Sequence, residues 1–309
     1  MSSLLTSELA HTSHGLQALS ADPVRVALEL QQQLDSVQAE METLRAELDI
    51  LRRRDETFHF HMSRIDEELR LAAKLQQDFL PRTLPQVGRV HFQTLYRPAG
   101  HVSGDLYDIC RLDEDHVGFW MTDAVGHGMP AALLTMFIKN AFVTKEIKPG
   151  GYRLLLPGEA LSRLNEAIVA QDLSQATFAT AAYGVINTRT LNVQFARAGH
   201  PLPLLLKNDL SVVDVDADGT LLGIFANEVF ETRSFNLSPG DRLIIYSDGV
   251  EVAFSDTDVH TPHRWRNELL TRRHLPTDEM FNEFAGQIDA QAGSIQPKDD
   301  LTLIAIEVR

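Results

Sequence analysis

The stretch MTDAVGHGMPAALL, residues 121–134, sets a single carboxylate, Asp123, between an apolar run with strand texture and one with helix texture. Gly126 and Gly128 leave exposed backbone close behind it. The same grammar recurs in VSGDLYD (Asp105, Asp108), LIIYSDGV (Asp248) and QPKDDLTLIAI (Asp299, Asp300), where the acid stands just before a strand in the last case. Asp is a poor strand former. A carboxylate at a strand end must therefore face solvent, accept backbone N–H groups or hold a cation. Each of these acids alone reads as a turn-forming Asp. Together, at the ends of core strands, they read as a cluster, and clustered carboxylates resist ionising together unless cations neutralise them. Oxygen-only donors favour Mg²⁺ or Mn²⁺ over zinc or copper. Ser103, Ser247 and Cys110 lack the neighbouring His/Asp pattern of an activated nucleophile and read as structural.

The elements that must position these acids fall into an elongated front and a compact back. Residues 1–23 are polar and read as a flexible N-terminus. From Ala27 a heptad spacing runs without a slip: Ala27, Leu34, Met41, Leu48, Asp55, Met62, Leu69 and Gln76 share one position, and Leu30, Val37, Leu44, Leu51, Phe58, Ile65, Ala72 and Phe79 the other. Residues 24–80, free of Gly and Pro until Pro81, are expected to form a coiled coil roughly 80 Å long that dimerises the chain and acts as a regulatory linker. The plainer alternative is a long amphipathic helix packed on its own globular domain. Asp55 and Gln76 are polar seam residues that weaken such a coil locally and can fix its register.

After Pro85 the texture changes. RVHFQTLYRPA, HVGFWMTD, FATAAYGVI, LNVQFARAG, LPLLL, FETRSFNL, DRLIIYSD and LTLIAIEV read as strands bounded by turn residues. MPAALLTMFIKNAFVTKEI, PGEALSRLNEAIVAQD, HRWRNELLTRR and TDEMFNEFAGQIDA read as helices, several with Pro or Thr near the first turn. Strands in adjacent pairs with helices grouped between them predict an α+β fold of antiparallel sheets covered by helices, spanning 81–309.

Composition sets the class. Apolar and charged fractions of 44% and 23% are those of a folded globular chain. A formal charge of −15 over 309 residues argues against a nucleic-acid partner. One cysteine, Cys110, leaves no disulfide framework and fits a reducing, cytoplasmic address. The N-terminal residues lack a signal-peptide pattern, and no apolar run is long enough to span a bilayer, so no membrane association is expected.

VSGDLYD, TDAVGHGMPAALL, FATAAYG, RAGHPLPLLL, GDRLIIYSDGV and DDLTLIAIEV occur in an order and spacing that resembles bacterial metal-dependent protein phosphatases of the SpoIIE/RsbU type, a branch of the PP2C-like (PPM) superfamily. The resemblance covers about residues 70–309, with RLAAKLQQDFLP similar to the family's linker helix. It implies a PP2C-like α-β-β-α sandwich. It also implies two ions, Mn²⁺ or Mg²⁺, with Asp123 bridging them and the Ala124 carbonyl on the second. Asp248 and Asp299 match ligands of the first ion, Asp105 an acid near the second that acts through water, and Asp300, the polar neighbour of a ligand, is a further metal candidate ranked below Asp299.

The activity so implied is protein serine/threonine phosphatase chemistry, with a metal-activated water attacking phosphorus in line. The implied substrate is a phosphorylated STAS-domain anti-sigma-factor antagonist of a partner-switching pathway. The alternative is a catalytically weak coiled-coil signalling scaffold whose phosphatase-like domain binds phosphorylated partners. RAGHP, residues 197–201, reads as a strand-positioning turn, His127 as a loop residue, and Arg97 as the nearest candidate to steady a phosphate. The sequence departs from the family's DGVTEA with DGVEVA. Strand alternation would then turn Glu251 to the opposite face.

Overall fold

A computed structural model describes residues 23–173, 177–254, 264–292 and 297–309; the expected flexible N-terminus at 1–22 lies outside them. The chain divides into two compact units, Met1–Glu67 and Glu68–Arg309. Helix α1, Pro23–Asp78, is unbroken. Leu34, Val37, Met41, Leu44, Leu48 and Leu51, along the heptad seam, are all exposed in the single chain. Among the described residues no helix is long and apolar enough to cross a membrane.

The second unit is built on two five-stranded antiparallel sheets. Strands β1 (Val90–Arg97), β2 (Asp105–Arg111) and β3 (His116–Ala124) precede helix α2 (Met129–Ala141) and the hairpin β4 (Lys145–Lys148) and β5 (Gly151–Leu154). Helix α3 (Pro157–Val169) leads to β6 (Ala179–Asn187), β7 (Asn192–Ala198), β8 (Leu204–Leu206), β9 (Val212–Asp214), β10 (Arg233–Asn236) and β11 (Arg242–Tyr246). The short helix α4 (Gly249–Ala253), then α5 (Arg264–Thr271), α6 (Thr277–Ala292) and β12 (Leu301–Val308), close the chain. One sheet has the order β1-β12-β11-β8-β9, the other β10-β7-β6-β3-β2.

Three apolar clusters explain the layering. Phe92, Phe119, Met121, Phe195, Ile245, Ile304 and Ile306 pack between the sheets. Trp120, Leu134, Ile138, Leu161 and Tyr183 join α2 and α3 to the outer face of the second sheet. Tyr246, Trp265, Phe281, Phe284 and Leu303 join α5 and α6 to the outer face of the first. This is the expected helix–sheet–sheet–helix sandwich. Burial on both faces is why VGFWM in β3 and LIAI in β12 are continuous apolar runs rather than alternating ones: Ile304 points into the middle layer and Leu303 toward the helices.

The expected helix over residues 129–147 is corrected. It ends at Ala141, and Lys145–Lys148 pairs with Gly151–Leu154 instead. Val143 and Thr144 are β-branched, and Pro149 with Gly150 (φ 87°) supplies the turn, so local chemistry favours a hairpin there. Phe195 is wholly buried in the middle layer. Phe195→Ala is therefore expected to lower unfolding free energy by about 3–5 kcal/mol, read as a reduced urea midpoint; a loss under about 1 kcal/mol would contradict this packing.

Candidate active site

Antiparallel pairing brings the acids to one edge. Asp123 is the penultimate residue of β3 and Asp105 the first of β2, and the register sets them directly opposite each other. In the other sheet β11 ends at Tyr246, just before Asp248, while β12 begins at Leu301, just after Asp299 and Asp300; these strands also pair antiparallel. Asp123, Asp248, Asp299 and Asp300 line one cavity of about 700 Å³, together with the 99–102 and 124–128 loops, Phe178 and Lys298. A cavity of comparable size, about 760 Å³, lies at β1, β12 and the start of α6 and contains none of these four.

Backbone chemistry builds the edge. Gly126 and Gly128 adopt φ of 86° and 73°, the left-handed region that only glycine enters without strain, and turn the chain from β3 into α2. No side chain caps α2, and Pro130 sits in its first turn. The free N–H groups there favour an anion beside the acids. At Gly249 a Cβ would stand 2.0 Å from the Asp300 carbonyl, so only glycine lets the turn after Asp248 pass the segment, just before β12, that carries Asp299.

Each acid has a distinct environment. Asp105 is 1% exposed. Its Oδ2 accepts Thr302 Oγ1 at 2.5 Å, while Oδ1 is buried without a hydrogen-bond partner. Burial first, and Asp123 second, hold its pKa well above the ordinary range, against the opposing bond from Thr302. Asp123 is pushed up to about 8, by burial and then by Asp248, Asp299 and Asp300. Asp248 is also raised, by its enclosure and then by Asp299, although its side chain opens to solvent at the cavity. Asp299 Oδ1 accepts the Asp300 amide at 2.8 Å.

Asp300 lines the cavity with the other acids, and both of its oxygens are engaged by backbone amides. Its Oδ1 accepts the Ala99 amide at 2.7 Å and its Oδ2 the Gly104 amide at 2.6 Å, so both oxygens clamp the loop that leads into Asp105. Asp108 leaves the cluster altogether, pairing with Lys139 at 2.8 Å. Arg97 pairs with Asp289 at 2.5 Å and is not among the residues that line the cavity. Glu251 lies in α4, so strand alternation does not apply to it. His127 lines the cavity, exposed, in the loop. Ser103 and Ser247 are structural, as expected: Ser103 Oγ accepts the Asp105 amide, and Ser247 Oγ accepts the Thr302 amide.

Sequence reasoning missed two ties. Gln76, buried at the end of α1, grips Ser103 from both sides: its Nε2 donates to the Ser103 carbonyl at 2.7 Å and its Oε1 accepts the Ser103 amide at 2.9 Å. The only signal was a polar residue on an apolar seam. Thr302 reaches from one sheet to Asp105 in the other, and nothing in LTLIAIEV marks it.

The donor set fits hard divalent cations. It is all oxygen, one buried carboxylate oxygen lacks a partner, and burial first and neighbouring carboxylates second disfavour the charged acids, a cost that cations relieve. Among the described residues no three His, Cys, Asp or Glu side chains close on one point as a finished cage. Drawing them closer brings like charges together, which only a cation makes favourable.

The family profile of Stage II sporulation protein E (SpoIIE) matches residues 113–309. The chain is 29% identical over 249 residues to phosphoserine phosphatase RsbU of Bacillus subtilis, covering 78% of this chain and 70% of RsbU. It is 28% identical over 264 residues to protein IcfG of Synechocystis, covering 77% of this chain but 41% of that relative's length. Among solved structures, the SiaA-PP2C domain of Pseudomonas aeruginosa superposes with a TM-score of 0.67 at 21% identity, covering 80% of this chain and 98% of that one.

Titration of the cluster has a definite sign. The Asp123 carboxyl keeps its proton in the folded chain up to about pH 8, whereas an unfolded Asp ionises near 3.8. The folded state binds more protons across that window, so the stabilisation is whole below pH 3.8 and is lost as pH rises through 8. In EDTA, the urea midpoint is expected to fall between pH 5 and pH 8, and to fall less in Asp123→Asn. A slope left unchanged by that substitution would contradict the coupling.

Proposed function

The chain belongs to the SpoIIE family, and from that premise we propose that it is a divalent-metal-dependent protein serine/threonine phosphatase. The observation that carries the reading is the convergence, from two sheets, of Asp123, Asp248 and Asp299 on one cavity with Asp105 buried beside them. Two ions, Mn²⁺ or Mg²⁺, would be held by Asp123, Asp248, Asp299 and the Ala124 carbonyl, with Asp105 acting through water. Ions bound there supply an activated water and neutralise phosphoryl charge. The chain's own groups do the rest. Burial and neighbouring carboxylates make Asp105 and Asp123 resist ionising together unless cations bind, the uncapped start of α2 orients a phosphoryl group by its N–H donors, and the Asp300 clamp fixes the loop that carries Asp105.

The substrate in this reading is a phosphoserine or phosphothreonine on a STAS-domain anti-sigma-factor antagonist, and the pathway is partner switching. RsbU, named a phosphoserine phosphatase, supports the phosphoserine class. We place the enzyme in the cytoplasm, with residues 24–80 as a coiled coil that forms a homodimer and 81–309 as the phosphatase domain. The exposed apolar seam supports the pairing, since a repeat of this length buries its surface best against an identical partner. A change of coil register would reach the site through Gln76, which bonds Ser103 and lies 3.3 Å from Thr135 on α2.

Two measurements test this. Mn²⁺-dependent hydrolysis of p-nitrophenyl phosphate, and of a phosphorylated STAS protein, is expected to fall at least about 100-fold in Asp248→Asn; no turnover with metal would reject the phosphatase and leave the scaffold, and turnover independent of metal or of that substitution would reject the assigned metal site. Removing residues 1–65 is expected to convert a dimer to a monomer by sedimentation and to shift the Mn²⁺ dependence. No change in either would reject the coil's role.

A further inference from the structure

The turn RAGHP places a histidine where two strand ends meet. His200 is 1% exposed. Its Nδ1 lies 2.8 Å from Thr180 Oγ1. Thr180 is the residue paired with Asp123 across the β3–β6 ladder, and its carbonyl accepts Thr122 Oγ1 at 2.8 Å. On the far side of the ring, Nε2 is buried without a hydrogen-bond partner. The backbone of Tyr246, the last residue of β11, lies close enough to act on the ring. One imidazole thus stands between the strand end that carries Asp123 and the strand end that leads to Asp248.

The ring is held from outside. Arg197 Nη1 donates to the His200 carbonyl at 2.9 Å. Gly199 takes φ 64°, and a Cβ there would stand 2.5 Å from the Leu221 side chain. Burial first, then the Arg197 charge, depress the imidazole to about 3, with the Tyr246 backbone working the other way. The ring is therefore neutral at any working pH and serves as a strut rather than an acid or base. It lines no part of the cavity, so it touches neither substrate nor ions.

We infer that His200 is a positioning residue for the metal site: by packing between Thr180 on β6 and the end of β11, it sets the spacing of Asp123 against Asp248 and thereby the affinity for divalent cations. This rests on the metal-dependent reading above. Carboxylates that repel one another must be held by their supports, and a support that slips by a fraction of an ångström weakens the site before it unfolds the domain.

The test is direct Mn²⁺ titration of the full chain, following the electron-paramagnetic-resonance signal of free Mn²⁺, for wild type, His200→Ala, His200→Asn and Thr180→Val, with melting curves alongside. His200→Ala and Thr180→Val are expected to weaken Mn²⁺ binding about 10–100-fold. His200→Asn, whose amide oxygen stands close to the Nδ1 position, is expected to recover most of the loss. Folded His200→Ala and Thr180→Val chains that bind Mn²⁺ as wild type does would overturn the inference, even if they melt earlier. Should His200→Ala fail to fold, Thr180→Val decides alone. A wild-type chain that binds no Mn²⁺ would remove the metal reading and this inference together.

Discussion

Crowding of buried carboxyl groups that cannot all ionise together at a shared edge is the constraint around which the second unit is organised. Asp105 and Asp123 face each other across an antiparallel pair, where like charges are unfavourable. Asp248 and Asp299 add to the same field from the other sheet. A chain left to relieve that crowding would splay its strand ends. The described structure holds them by ties that cross the edge: Thr302 to Asp105, Asp300 to the Ala99 and Gly104 amides, Ser247 to the Thr302 amide, and Gln76 to Ser103.

Those ties work because the layers behind them do not yield. Strands β3 and β12 are buried on both faces, against the opposite sheet on one side and helices on the other. Close-packed interiors of this kind transmit displacement rather than absorb it. The edge therefore stays a fixed frame while the loops around it, with Gly126 and Gly128 in left-handed conformations, supply bare backbone. Function and stability pull apart here: the acids that bind cations cost the metal-free fold stability as pH rises, and the cations restore it.

Much of this was legible in the sequence. Asp123 and Asp248 could be read because an acid that ends an apolar run has few structural uses, and the two-sided strands announced a layered core. What could not be read depended on distance rather than pattern. Asp299 and Asp300 are adjacent in the chain and both line the cavity, yet only Asp300 also clamps a loop 196 residues away. Asp108 shares a motif with Asp105 but meets Lys139 on a helix. Arg97 finds Asp289, and Glu251 falls on a helical turn where a strand was expected to continue. Gln76 looked like a flaw in a coiled-coil seam and is instead a buried tie. In each case the deciding partner lies far along the chain, where local spacing carries no information.

The most direct test of the account is a crystal of the chain grown in Mn²⁺ and measured by anomalous scattering at the manganese edge. The account predicts two peaks in the cavity, one on either side of the Asp123 carboxylate, with Asp248 and Asp299 on the same ion and Asp300 still bonded to the Ala99 and Gly104 amides. Manganese bound elsewhere, or a cavity with no anomalous peak and the aspartates facing solvent, would contradict it.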